Sequence, residues 1–104
     1  MTVTELTNGK FDEFTKKGIA LVDFFADWCM PCLMMAPIVE DLSEKFHGKI
    51  NFGKIDVDEN HALAEKFNVH SIPNFVLFKN GKPVEKFTGA ISSEDFEEKL
   101  RKFL

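Results

Sequence analysis

The chain predicts an α/β fold, a central mixed sheet of four to five strands with helices on both faces. Three features carry that prediction. Residues 19–25 (IALVDFF) form a nearly continuous apolar run, as expected of a strand buried on both faces. A stretch of helical periodicity separates them from a second strand-like run at 50–57, which makes a βαβ unit with a parallel pair and a right-handed crossover. Asn80-Gly81 then stands between two apolar runs, a strong hairpin signal because both residues accept positive φ.

The elements follow in order. Residues 2–6 alternate weakly and suit a short edge strand. Between Gly9 and Gly18, Phe11 and Phe14 lie three apart, which suggests a first helix. Residues 32–46 are expected to form a long helix. Met34, Ile38, Leu42 and Phe46 make one row and Met35, Val39, Leu42 and Phe46 the adjacent one, both read as core. Pro37 should kink this helix and Gly48 should end it. Asp58 is a candidate cap for a helix reaching about Phe67, with Ala62, Leu63 and Phe67 on its inner face. Residues 74–79 and 83–89 form the hairpin. Ser92 and Asp95 suit a capping box for a last helix with Phe96, Leu100 and Phe103 inward and Glu97, Glu98, Lys99, Arg101 and Lys102 solvated.

Composition narrows the function. The 104 residues are of single-domain length, 1–104, and a hydrophobic fraction of 44% with 12 Phe supplies a core. A net charge of −4 argues against nucleic acid and anionic membrane surfaces as partners. No apolar run approaches the ~20 residues of a membrane span, and the first twenty residues lack an apolar signal-peptide centre, so a cytoplasmic location is expected.

Cys29 and Cys32 are the chain's two cysteines. So short a loop is a weak staple, worth about 2 kcal/mol in the chain-entropy picture. Reactivity or metal binding explains the pair better. At a helix start, residues i and i+3 share a face and can close a disulfide, and the helix's positive end favours a thiolate. Pro31 suits that first turn, where its missing N–H costs nothing. Cys29, at or before the start, reads as the exposed nucleophile; Cys32, one turn in, reads as the shielded resolving thiol. Zinc would need two more ligands, and His47, His61 and His70 do not pair at finger spacing; each reads better as a surface or cap residue. Inert buried thiols are the other alternative.

Several segments together resemble the thioredoxin family: Val22-Asp23-Phe24-Phe25-Ala26-Asp27-Trp28-Cys29-Met30-Pro31-Cys32, then Ala36-Pro37-Ile38, Lys54-Ile55-Asp56-Val57-Asp58, Ser71-Ile72-Pro73, Phe78-Lys79-Asn80-Gly81 and Thr88-Gly89-Ala90. The resemblance spans essentially the whole chain in order and implies the thioredoxin fold. It further implies a protein-disulfide reductase and redox carrier that needs no bound cofactor and no metal. Its partners would be a thioredoxin reductase and clients such as ribonucleotide reductase, peroxiredoxin or methionine sulfoxide reductase. A monomer is expected.

The resemblance also implies site roles. Asp23 would accept the Cys32 proton, a role that burial supports by raising its pKa; pairing with Lys54 for structure alone is the other reading. Lys54 would modulate Asp23, or simply snorkel to water. A cis bond is implied before Pro73. Trp28, Met30, Pro31, Ile72, Pro73, Gly89 and Ala90 would form a mostly apolar platform for extended substrates. Four positions depart from the pattern: Met30 replaces the usual Gly, Leu33 a basic residue, Asn74 a Thr, and Phe25 the Trp of some members. An oxidase or isomerase on this fold is disfavoured by Pro31 in place of a His before Cys32, and a non-catalytic scaffold by the intact cysteines and Asp23.

Overall fold

A computed structural model describes residues 3–104. Among them, five strands form one sheet in the order β1-β3-β2-β4-β5. The chain runs β1 (Val3–Glu5), α1 (Asn8–Thr15), β2 (Ile19–Phe25), α2 (Met30–Lys45), β3 (Asn51–Asp56), α3 (His61–Lys66), β4 (Asn74–Lys79), β5 (Lys82–Thr88) and α4 (Ser93–Arg101). Strands β1 and β2 flank β3 in parallel, while β4 and β5 join antiparallel, so the sheet is mixed as expected. Thr2, placed in the edge strand from the sequence, lies outside the described residues.

Strand β2 sits at the centre, and its side chains alternate between two apolar layers. Ala20, Val22 and Phe24 enter the layer that holds Phe11 of α1 and Leu63 of α3. Leu21 enters the other, with Met35, Val39 and Leu42 of α2 and Phe96 and Leu100 of α4. Asp23 shares the parity of Leu21, so it faces the α2 side. Phenylalanine rings knit both layers, with Phe75 against Phe96 at 4.8 Å and Phe11 edge-on to Phe78 at 5.4 Å.

The hairpin turns on Asn80 and Gly81 with φ of 50° and 87°, the left-handed pair that the dipeptide requires. Asn80 also accepts the Gly18 N–H at 2.9 Å and donates its own N–H to Gly18 O at 2.8 Å, which locks the turn to the start of β2. The β4–β5 register shifts between Leu77 and Phe78 of β4, where Phe78 pairs with Pro83 on the edge strand β5.

Several sequence expectations change. Helix α2 begins at Met30, two residues early, because Pro31 fits the first turn and Cys29 is the residue that caps it. Met34 is 70% exposed, so it is not core; the inner face is Met35, Val39 and Leu42 with Phe46 at the end, and Ile38 packs half-buried beside them. Helix α3 is preceded by Asn60, not capped by Asp58. Asn60 donates to Asp56 O at 3.0 Å and accepts the Asn8 N–H at 3.1 Å, which ties α3 to α1. Its inner face is Leu63 and Ala64, with Phe67 at its end packed among Phe11, Phe24 and Phe78 as expected and Ala62 exposed. Helix α2 runs through Pro37 to Lys45. Ser92 caps α4 as expected by accepting the Asp95 N–H at 3.2 Å. Glu97 is not merely solvated: it bridges Lys45 of α2 and Arg101, each at 2.8 Å.

Candidate active site

The site lies past the carboxyl end of β2, where the chain turns into α2. Cys29 N donates to Ala26 O at 3.2 Å, closing that turn, and Cys29 then takes extended backbone before the helix. Its Sγ accepts the backbone N–H of Cys32 at 3.2 Å. A sulfur therefore occupies the place an Asn or Ser oxygen fills at most helix starts, against the helix's positive end. Cys29 and Cys32 are joined in a disulfide with their Cα atoms 5.2 Å apart.

Each cysteine is only 4% exposed. That corrects the expectation of an exposed Cys29: in the disulfide, Ala26 packs on the pair, with Phe25, Val57 and Ile72 around it. What surrounds the sulfurs is accessible. Trp28 is 69% and Met30 65% exposed, and Pro31 and Ala90 are also open to solvent. Ile72 is half-buried beside the disulfide, and Pro73, behind it, is buried. The Ile72–Pro73 bond is cis. Gly89 N–H donates to Pro73 O at 2.8 Å, so the end of β5 is fastened to the same loop, and Gly89 has φ of 89° with open space beyond its Cα.

Trp28 has a partner that sequence reasoning assigned elsewhere. Its indole Nε1–H donates to Asp58 Oδ2 at 2.7 Å. Asp58 in turn is held by the turn after β3, its N–H donating to Asp56 Oδ1 at 2.9 Å. The signal was present in the strand-ending Asp56-Val57-Asp58, which reaches the disulfide because β3 lies next to β2.

Beneath α2, Asp23 is buried, and its Oδ1 has no hydrogen-bond partner among the described residues. Burial pushes its pKa up to about 7, against the smaller opposing pull of the Lys54 ammonium. Lys54 is the register neighbour of Asp23 on β3 and its Nζ lies 5.4 Å from the Phe25 ring centroid. Both residues line a cavity of about 40 Å³ with Val3, Ala36, Val39 and Glu40, room enough for a water. His47, His61 and His70 are all exposed, His61 at the start of α3 and the other two outside the helices and strands, and no group of three or more His, Cys, Asp or Glu among the described residues is placed to hold a metal.

A redox-capable cysteine pair capping a helix beside a cis-proline loop, on a mixed sheet with two helices per face, defines a thiol–disulfide oxidoreductase of thioredoxin fold. Comparison with known proteins agrees. The thioredoxin family model matches residues 2–102. Over the full length of both chains, this one is 44% identical to the thioredoxin of Staphylococcus saprophyticus and 45% to that of Staphylococcus haemolyticus. The structure of a point-mutant thioredoxin from Halobacterium salinarum is similar at a TM-score of 0.88, with 35% identity over 97% of this chain and 88% of that one. The chain belongs to the thioredoxin family. Its activity is that of a protein-disulfide reductase, exchanging the Cys29–Cys32 disulfide with those of client proteins. No helix among the described residues is long and apolar enough to cross a membrane.

Proposed function

We propose that Cys29 is the attacking sulfur and Cys32 the resolving one. The observation that carries this assignment is the Cys32 N–H donated to Cys29 Sγ at 3.2 Å, since a thiolate at that atom keeps the same donor and the helix's positive end. In the reduced protein, Cys29 thiolate attacks one sulfur of a client disulfide, forming a mixed disulfide and releasing the other client sulfur as a thiolate. Cys32 then loses its proton, attacks Cys29 Sγ, and expels the second client sulfur. The protein ends with the Cys29–Cys32 bond; the client, after protonation, carries two thiols.

Asp23 is the acceptor for the Cys32 proton, reached through a water in the cavity beside it, and Lys54 sets how readily it accepts. Its buried carboxylate is a stronger base near neutrality than an ordinary aspartate, which supports the role. Trp28, Met30, Pro31, Ile72, Pro73, Gly89 and Ala90 receive the client chain, which takes an extended form against the backbone at Ile72. The chain, residues 1–104, works as one domain and a monomer in the cytoplasm, without cofactor or metal. A thioredoxin reductase returns it to the dithiol, and peroxiredoxins, methionine sulfoxide reductases and ribonucleotide reductase are its clients.

Insulin reduction driven by dithiothreitol tests the assignment. The wild-type chain should accelerate precipitation and Cys29→Ser should abolish the acceleration. Cys32→Ser should trap mixed disulfides with insulin. Trapping by Cys29→Ser instead would reverse the two roles.

A further inference from the structure

Helix α2 carries an outward stripe that extends the platform beyond Met30 to residues with no assigned role. Met30, Leu33, Met34 and Pro37 stand at i, i+3, i+4 and i+7, so they share one face, and all are exposed, Met30 at 65%, Leu33 at 53% and Met34 at 70%. Isolated exposed apolar residues are ordinary, but a contiguous set at the rim of a reactive group marks a surface that something covers. The same stripe continues at i+11 and i+14 as Asp41 and Glu44, both exposed. One helix face thus changes from apolar to acidic as it leaves the disulfide.

We infer that this stripe is a client-selecting surface, which takes a disulfide-bearing polypeptide with an apolar side chain near its half-cystine and a lysine or arginine beyond it. The inference rests on the proposed reading of Cys29 as the attacking atom. Three observations carry it. Both cysteines are only 4% exposed, so a client disulfide reaches Cys29 by pressing its chain against the surrounding surface, and Met30 begins that surface. The apolar part, from Met30 to Pro37, is about 10 Å long at ~1.5 Å per residue, which an extended client spans in about three residues. Asp41 and Glu44 lie roughly 6–10 Å further, two to three client residues on, where a cation is complemented. A second copy of the chain is a poorer occupant, since each copy carries a net charge of −4.

The test uses the full reduced chain and short peptides whose single cysteine is bridged to thionitrobenzoate, whose release is read by colour. One peptide carries Leu two residues after the cysteine and Lys three residues after that; a second replaces the Leu with Ser; a third replaces the Lys with Glu. The second-order rate should be about tenfold higher for the Leu peptide than for the Ser peptide, and the Leu33→Ser, Met34→Ser double variant should bring that ratio to within about twofold of unity. The Lys peptide should outpace the Glu peptide several-fold at low salt and lose the advantage at high salt; Asp41→Lys with Glu44→Lys should reverse it. Equal rates for all three peptides with the wild-type chain would overturn the inference and leave the role of Cys29 standing. So would a Leu preference that survives in the double variant. Release from none of the peptides would remove both readings. Sedimentation at the assay concentration adds one outcome: a wild-type dimer that the double variant disperses would assign the face to a second copy and overturn the inference.

Discussion

Asp23 illustrates how much a single position can hold in tension. It stands in the middle of an apolar strand with an oxygen unpartnered among the described residues, and burial outweighs the attraction of Lys54. A carboxyl whose pKa rises from 3.8 unfolded to about 7 folded makes stability fall as pH rises. Below about pH 4 both states are protonated and nothing is lost. Between about 4 and 7 the unfolded chain releases a proton that the native chain keeps, and above 7 the full penalty, about 4 kcal/mol for three pH units, persists. Asp23→Asn should therefore be markedly more stable than wild type at pH 8 and close to it at pH 4, measured by urea unfolding at both. On the proposed role of Asp23 as acceptor of the Cys32 proton, the same variant should reduce insulin more slowly near neutrality. An unchanged pH–rate profile from 6 to 9 would take Asp23 out of the reaction.

Among the elements, the strands explain themselves better than the helix ends. The run at Ile19–Phe25 was readable because a strand buried on both faces leaves little room for polar residues, and Asp23 is its one exception. Asn80-Gly81 was readable because few dipeptides tolerate two positive φ values in succession. Helix edges were less so. A cysteine, not a residue type common at helix starts, caps α2, and Asp58, which has the chemistry of a cap, serves the Trp28 indole instead. Met34 misled because apolar spacing at every fourth residue looks the same whether the row faces the core or a partner. Gly53 escaped notice, since its reason lies in packing: a Cβ there would meet Leu6 Cδ1 at 2.7 Å and Phe14 Cε2 at 2.9 Å, where α1 presses on β3. Gly53→Ala should cost about 1–3 kcal/mol, whereas Gly9→Ala, in α1 with open space around it, should gain roughly 0.5–1. Thermal melts of the two should move in opposite directions.

For the molecule as a whole, the sheet order decides where chemistry can occur. Placing β2 between β3 and β4 brings three chain-distant segments to one end: the cysteine turn after β2, Asp58 after β3, and the Ile72–Pro73 loop before β4. No local pattern announces that convergence; it follows only once the pairing is known. The disulfide there also contributes to global stability through its short loop, about 2 kcal/mol. The oxidised chain should therefore melt roughly ten degrees above the reduced one, followed by calorimetry with and without dithiothreitol. Coincident melts would show that the bond strains the fold as much as it constrains the unfolded chain.

The clamp between Asn80 and Gly18 lies at the far pole, about 20 Å from the cysteines along a seven-residue β2. A surface-attached version of the chain could thus be tethered through a cysteine-free handle at Lys82, next to that turn, leaving the reactive pole pointing into solution. An electrode or bead carrying such molecules would present every disulfide in the same orientation.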